Sequence, residues 1–330
     1  MVTRRALIGA FAAVVIAGTS ATAALAEKIV IGTFGTPTPL EAAVASGAFE
    51  KATGWEIEWR KFGSGADVIA AMASGDLKIA ELGSSPLAIG ASQGVDFQLF
   101  GISDIIGDSE SLIARNGSGI NSAADLKGKK VGVPLGSTSH YSLMGAIKNA
   151  GLAPGDVEVI GMNPDQISAA WDQGQIDATF IWEPAKGKAL KTGKIIVAAN
   201  QVQGAPTFDG WVVNTAFGKA HPDFMVKFLK ALDAANAAYN SSPAAWTPDS
   251  EPVKGITART GSPSTDVPEA LKGYAFPSIK EMASAEWLGG GVQKNMATTA
   301  KFLLDNKRID AALDDYSNYV NADYLAAAMK

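Results

Sequence analysis

The chain has 330 residues, 47% of them hydrophobic and 18% charged, with a formal net charge of −5. That composition fits one to three globular domains and excludes a disordered chain. Cysteine is absent and the only histidines are His140 and His221, which excludes disulfides, iron–sulfur clusters, thiolate zinc sites and cysteine nucleophiles and leaves open only an all-carboxylate metal site; the acidic balance argues against nucleic acid as a partner.

Residues 1–26 carry Arg4 and Arg5, an apolar run from Ala6 to about Gly18, and small residues ending at Ala26. Basic start, apolar middle and small residues at the end read as a secretory signal cleaved after Ala26, by the general or the twin-arginine route. The alternative, a membrane anchor, would need a longer apolar run. Cleavage leaves 26 basic against 33 acidic side chains, a net charge of −7. Without cysteine there is no lipid attachment point, so the expected location is the periplasm of a two-membrane bacterium.

Lys28–Phe34 alternates and is β-branched, which predicts a strand; Pro39–Thr53 has a helical period and stops at Gly54. Trp55–Phe62 reads as the next strand. Ser64 caps a predicted helix carrying Val68, Ile69 and Met72, closed by Gly75. Lys78–Gly83 is a short strand, and Ser84-Ser85-Pro86 opens a helix as a hydroxyl cap followed by a first-turn proline. Phe97–Ile102 and Glu110–Arg115 are further strands. The pattern then restarts. Val131–Pro134 is a strand, and Gly136–His140 leads into a helix holding Leu143 and Ile147 that ends at Gly151. Val157–Met162 is a strand followed by an Asn163-Pro164 helix start; Ala178–Trp182 and Ile195–Ala199 are strands. After Trp211–Asn214 the chain turns helical, with Met225, Phe228, Leu229 and Leu232 spaced along Pro222–Tyr239 and a Pro/Ser/Thr-rich loop at about 242–268.

Strands alternating with helices in two blocks predict two α/β lobes with parallel sheets. Ligands of such sheets bind where strand ends enter helices. Three such loops, Gly83–Pro86, Leu135–His140 and Met162–Asp165, hold cap residues. Each of these residues has a plain capping role. Several such helix starts facing one cleft would bind an anion without a basic protein.

Six segments, Trp59-Arg60-Lys61-Phe62, Ser64-Gly65-Ala66, Ala73-Ser74-Gly75-Asp76, Leu82-Gly83-Ser84-Ser85-Pro86-Leu87-Ala88, Ser139-His140-Tyr141-Ser142-Leu143 and Asp315-Tyr316-Ser317-Asn318-Tyr319-Val320, together resemble the taurine-binding proteins, periplasmic components of ATP-driven importers. Ala205-Pro206-Thr207, the segment from Asp209 through Trp211-Val212-Val213, and His221-Pro222 extend the similarity. Singly these motifs are weak; in order they span nearly the whole chain after residue 26. The resemblance implies an α/β fold, a two-lobed periplasmic binding protein of type II. Each lobe would be a mostly parallel sheet flanked by helices, with the ligand in the cleft between them. The first lobe would comprise 27–110 and 206–330, the second 111–205, with the hinge at Asp108–Arg115 and Gln203–Phe208. The implied protein is a monomer without cofactor or metal that passes taurine or a close aminosulfonate to a membrane permease and its ATPase.

Taurine needs donors for its sulfonate and acceptors for its ammonium. The expected sulfonate partners are Ser84, Ser85, Thr138, Ser139 and His140 with their loop N–H groups. Asp209, which matches an acidic position of the taurine binders, would hold the ammonium, and Trp182 would pack the methylenes or face the cation. Trp211 reads equally as site or core, His140 equally as a helix cap; Trp55, Trp59, Trp171, Trp246 and Trp287 are assigned to packing. Two stretches depart from the pattern. Gly32-Thr33-Phe34-Gly35-Thr36-Pro37 replaces a more polar, glutamine-containing turn and puts Thr36 at the rim. Glu183 follows Trp182, either as a second ammonium partner or as a helix-start acid. A general alkanesulfonate receptor, a quaternary-ammonium receptor built on tryptophans with Asp209 and Glu183, and a sensor or adhesion protein of the same fold are the alternatives. Gly90-Ala91-Ser92-Gln93-Gly94 matches a hydrolase nucleophile elbow, but it sits at the end of a predicted helix rather than between strand and helix, so no catalytic residue is assigned.

Overall fold

The computed structural model describes residues 27–330 except Gln203 and Ala205, so the expected signal segment lies outside the described residues. The strands, in chain order, are β1 (Lys28–Thr33), β2 (Glu56–Lys61), β3 (Ile79–Gly83), β4 (Gln98–Ile106), β5 (Ser111–Arg115) and β6 (Lys130–Val133), then β7 (Glu158–Gly161), β8 (Ala178–Ile181), β9 (Gly193–Ala198), β10 (Phe208–Val213) and β11 (Tyr274–Ala275). They form two sheets, β11-β4-β10-β3-β1-β2 and β7-β6-β8-β5-β9.

Most strands point one way, as expected, but both sheets are mixed. In the first, β1, β2 and β3 are parallel, and β10 lies antiparallel between β3 and β4. In the second, β6, β7 and β8 are parallel, and β5 lies antiparallel between β8 and β9. The reversed strands β10 and β5 lie just beyond the two stretches, 107–110 and 199–207, where the chain passes between sheets. Among the described residues no helix is long and apolar enough to cross a membrane.

Local chemistry sets the helix boundaries. Ser64 accepts from the Asp67 N–H, and Asn163 and Gln166 form a reciprocal capping box ahead of Pro164. Three starts or stops differ from the expectation. The helix read as continuous over 39–53 is two, Pro39–Ala45 and Ala48–Thr53, because Gly47 adopts a left-handed φ of 68°. The expected loop at 242–268 contains the helix Glu251–Thr260, whose Val253, Ile256 and Thr260 share one buried face. The helix after β3 starts at Ser84 itself, with Gly83 as its cap and no side-chain cap bond. The strand runs straight into the helix, so Pro86 sits third in the first turn, where a missing N–H breaks no helical bond.

The core of the first sheet centres on Phe228, whose ring meets Phe49 and Trp211 at 4.9 Å and Phe100 at 5.7 Å between centroids. The second sheet is buried on both faces, by Leu112, Val131, Leu143 and Phe180 on one and Ile113, Ile167 and Trp171 on the other. Trp171, Trp246 and Trp287 are buried, and Trp55 and Trp59 pack half-buried against the first core, in agreement with their assignment to packing. Trp211 is fully buried and belongs to the core rather than to a site. Phe228→Ala is expected to cost about 3–5 kcal/mol; equilibrium denaturation should show a lower midpoint with an unchanged slope.

Candidate functional site

The two sheets meet across a narrow pocket. Its free interior is about 20 Å³, the space of a closed site. Phe34 and Thr36 after β1, Gly83 and Pro86 at the helix Ser84–Ser92, and Asp209 of β10 form one side. Glu110, Ser137 and Thr138 face them, and Trp182 and Tyr274 close the walls. Trp182 and Phe34 also line a wider outer cavity, so these two rings separate the inner pocket from the cleft mouth.

The helices Ser84–Ser92 and Thr138–Asn149 both begin at this pocket. The two starts are close: a methyl group on Gly83 would lie 3.0 Å from Thr138 Cγ2 and 3.1 Å from Asp209 Oδ1. In the second helix Ser137 is the cap and accepts the His140 N–H at 3.1 Å. The N–H groups of Thr138 and Ser139, like those of Ser84 and Ser85, precede the helical ladder and carry the positive end of the helix dipole. The hydroxyls of Ser85 and Ser139 are buried with no hydrogen-bond partner. These starts supply donors and partial positive charge, and the carboxylates of Asp209 and Glu110 lie directly against them.

The same region is rich in buried acids. Asp209 lies opposite Asp104 in the β10–β4 pairing, and Glu81 of β3 lies opposite Trp211, two residues along β10. Oxygens of Glu81, Asp104 and Asp209 lie within 4.8 Å of one another. Glu81 accepts from Thr33 Oγ1 at 3.1 Å, the Phe34 N–H at 3.0 Å and Ser103 Oγ at 2.8 Å. Asp104 has the neighbouring Ser103 hydroxyl, which is directed to Glu81, to offset its charge. Glu110 Oε1 accepts from Thr138 Oγ1 at 2.6 Å, while its Oε2 is unpartnered. Among the described residues no ion pair reaches these four carboxylates. Burial first, then repulsion from Glu81 for Asp104 and from Asp104 for Asp209, holds both well above the usual carboxylate range, against the Ser103 hydrogen bond at Asp104. Glu110 is pushed up to about 7, chiefly by burial, against the opposing hydrogen bonds and the Lys186 charge. The buried Tyr274 hydroxyl is raised too, by desolvation first and then by Asp104 and Asp209.

The expected site residues separate into those at the pocket and those held elsewhere. Thr36, Thr138, Trp182 and Asp209 line it. Thr138, expected on an anion, spends its hydroxyl on Glu110. Ser84 Oγ accepts instead from the Phe208 N–H at 3.4 Å, tying the helix start to the return strand. His140 is buried and does not line the pocket; its Nδ1 accepts from the Gly136 N–H at 3.1 Å, burial, then Arg308, holds the ring down to about 4, and its Nε2 is buried without a partner. Glu183 lines the outer cavity and its Oε2 accepts the Gly187 N–H at 2.9 Å, the helix-start role. Ser92 ends its helix and shares a 2.7 Å hydrogen bond with Tyr316, without an elbow geometry. Glu110, Tyr274, Asp104 and Glu81 were not expected. Only the polar residue interrupting an apolar strand signals Glu81 and Asp104, and nothing local marks Tyr274.

A family model described as NMT1/THI5 like matches residues 37–245. The chain belongs to the NMT1/THI5-like family. Within reach of this family stands the taurine-binding periplasmic protein of Escherichia coli strain K12, 38% identical over 289 residues, 87% of this chain and 89% of that protein. Among solved structures, the alkanesulfonate-binding protein SsuA from Xanthomonas axonopodis pv. citri, bound to MOPS, is 20% identical and superposes with a TM-score of 0.77 over 91% of this chain and all of that one. The desulfurization enzyme DSZB has a TM-score of 0.66 at 16% identity over 92% of this chain and 99% of its own. At such identities the structural matches establish the shared fold, a two-sheet binding-protein architecture that carries an enzyme as well as receptors.

Glu110→Gln tests the buried acids. The folded-state value near 7 exceeds the ordinary 4.5, so the folded protein keeps a proton that the unfolded chain loses, and stability falls as pH rises from 4.5 through 7. The amide keeps an acceptor for Thr138 without the buried charge. Ligand-free Glu110→Gln should therefore be more stable than the parent at pH 8, by up to about 3 kcal/mol, and equal to it at pH 4, as read from thermal unfolding at both pH values.

Proposed function

We propose that this chain is the solute-binding receptor of an ATP-driven importer and that it captures taurine or a close aminosulfonate. The observation that carries the reading is the pairing, in one small pocket, of two facing helix starts with the carboxylates Asp209 and Glu110. A sulfonate stays ionised and is satisfied by neutral N–H and hydroxyl donors. The ammonium of the same molecule, two carbons away, compensates carboxylates that otherwise lack a cation. The Ser85 hydroxyl, buried and without a partner at the first of these helix starts, calls for one. Family membership and the 38% identical taurine-binding relative support the same reading. In it the protein binds without catalysis, acts in the periplasm as a monomer, and delivers its ligand to a permease whose ATPase supplies the work.

The lobes would be 27–110 with 206–330, and 111–205, closing about the two passages between the sheets. Trp182 and Phe34 would then seal the ligand from the outer cavity. A second reading, a quaternary-ammonium receptor, draws support from the three aromatic side chains Phe34, Trp182 and Tyr274 lining the same pocket as two acids. It leaves the two helix starts without a task.

Calorimetric titration of protein refolded free of carried-over ligand separates these readings. Taurine should bind far more tightly than ethanesulfonate or isethionate, because a ligand without the amine leaves Asp209 buried and unpaired. Equal binding of all three would make this a general sulfonate receptor, and glycine betaine alone would favour the aromatic reading. Asp209→Asn should weaken taurine about 10- to 200-fold, the loss of one charge-assisted contact of roughly 1.5–3 kcal/mol, with an unchanged far-ultraviolet spectrum.

A further inference from the structure

Asp104 is fully buried in the middle of β4, opposite Asp209. The neighbouring Ser103 hydroxyl acts on it but donates to Glu81 at 2.8 Å, and its charged neighbours are acids. Glu81 faces it from β3 and Asp209 from β10, Glu110 follows on its own chain segment, and Tyr274 stands on β11. The cations nearby are engaged elsewhere: Arg259 pairs with Glu41, which shares Thr33 with Glu81, and Lys186 Nζ donates to the Asp108 carbonyl. Glu81 has three donors and is the member equipped to be ionised. Carboxylates this close, in a dry strand interior, cannot all be anions. Ca²⁺ or Mg²⁺ is a poor occupant: either would need six or more oxygens, and Glu81 already accepts from three protein donors.

We propose that Asp104 is the proton-carrying positioning residue of the ligand site: in the ligand-free protein it shares a proton with Asp209, and an ammonium arriving at Asp209 expels that proton to solvent. The exchange balances. One O–H bond within the cluster breaks, its proton goes to buffer, and the N–H groups of the ligand take up the freed Asp209 oxygens, so the buried charge is the same before and after. The carboxylate is thus kept neutral while the pocket is empty and becomes an anion only against a cation. The shared proton also discriminates between ligands, since a sulfonate lacking an amine has nothing to displace it with. The inference rests on the proposed ammonium-binding role of Asp209.

Two measurements at about pH 8, above the range in which Glu110 titrates, test it. The first is infrared spectroscopy of the ligand-free protein. A carbonyl band of a protonated carboxylic acid, shifting in heavy water, should be present in the parent and missing from Asp104→Asn. The second is calorimetric titration with taurine in buffers of low and high ionisation enthalpy. The parent should release about one proton per ligand, and Asp104→Asn, an isostere with no proton to lose, should bind with a release near zero. No acid band in the parent, a band unchanged in the variant, taurine binding without proton release, or a Ca²⁺ requirement for binding would each overturn the proposal. The parent's band and proton release decide the matter even if the variant does not fold. If taurine fails to bind at all, the functional reading fails, while the infrared result still decides whether Asp104 holds a proton.

Discussion

Negative charge buried without a countercharge is the constraint around which this molecule is organised. Glu81, Asp104, Asp209 and Glu110 come from three adjacent strands and the passage after one of them, and no basic side chain pairs with any of the four among the described residues. Hydrogen bonds settle Glu81 and half of Glu110; Asp104 and Asp209 are left chiefly to burial and to the neighbouring acids. Opposed like charges on neighbouring strands weaken a sheet, so burial and repulsion favour the protonated form of Asp104 and Asp209 while no cation is present. The N–H and hydroxyl groups of two helix starts lie beside these acids, so one pocket offers both donors and acceptors.

The alternation of strands and helices, the doubling into two blocks and most caps were legible from local pattern, because each is decided within a few residues. Ser64, Asn163 and Gly75 act as their sequence context predicts. The misreadings share a cause. Gly47 breaks a helix that composition favours, and the helix Glu251–Thr260 forms in a Pro-, Ser- and Thr-rich stretch because Val253 and Ile256 join a hydrophobic cluster with Tyr239, Trp246, Val267 and Leu271 of the flanking segments. The site shows the same division. Asp209 and Thr138 were recognisable from the resemblance and reach the pocket. Ser84, His140 and Glu183 carry the right chemistry but spend it on Phe208, Gly136 and Gly187. Glu110 and Tyr274 arrive through pairings between strands remote in sequence, and no local signal encodes those.

The fold is shared with receptors and with a desulfurization enzyme, so architecture alone does not select a chemistry. Selection lies in a handful of side chains at the strand ends and helix starts. In this chain the conspicuous serine of the elbow-like motif is bonded to Tyr316, and the residues that converge on the pocket are acids, aromatics and cap N–H groups. That set grips and orients; it has no activated nucleophile among its described members.

The place of β10 has a consequence for how the protein comes into being. It fills the gap between β3 and β4, yet the whole of the second sheet is encoded before it. A ribosome that has made β1 to β4 has therefore made a sheet with its middle missing. The second sheet, continuous in sequence, can assemble as soon as it emerges, whereas the first must wait for a strand that arrives after it. The element that carries Asp209 is thus also the last piece needed to close the sheet, and a chain halted before residue 208 would expose the edges of β3 and β4 for pairing with the wrong neighbour.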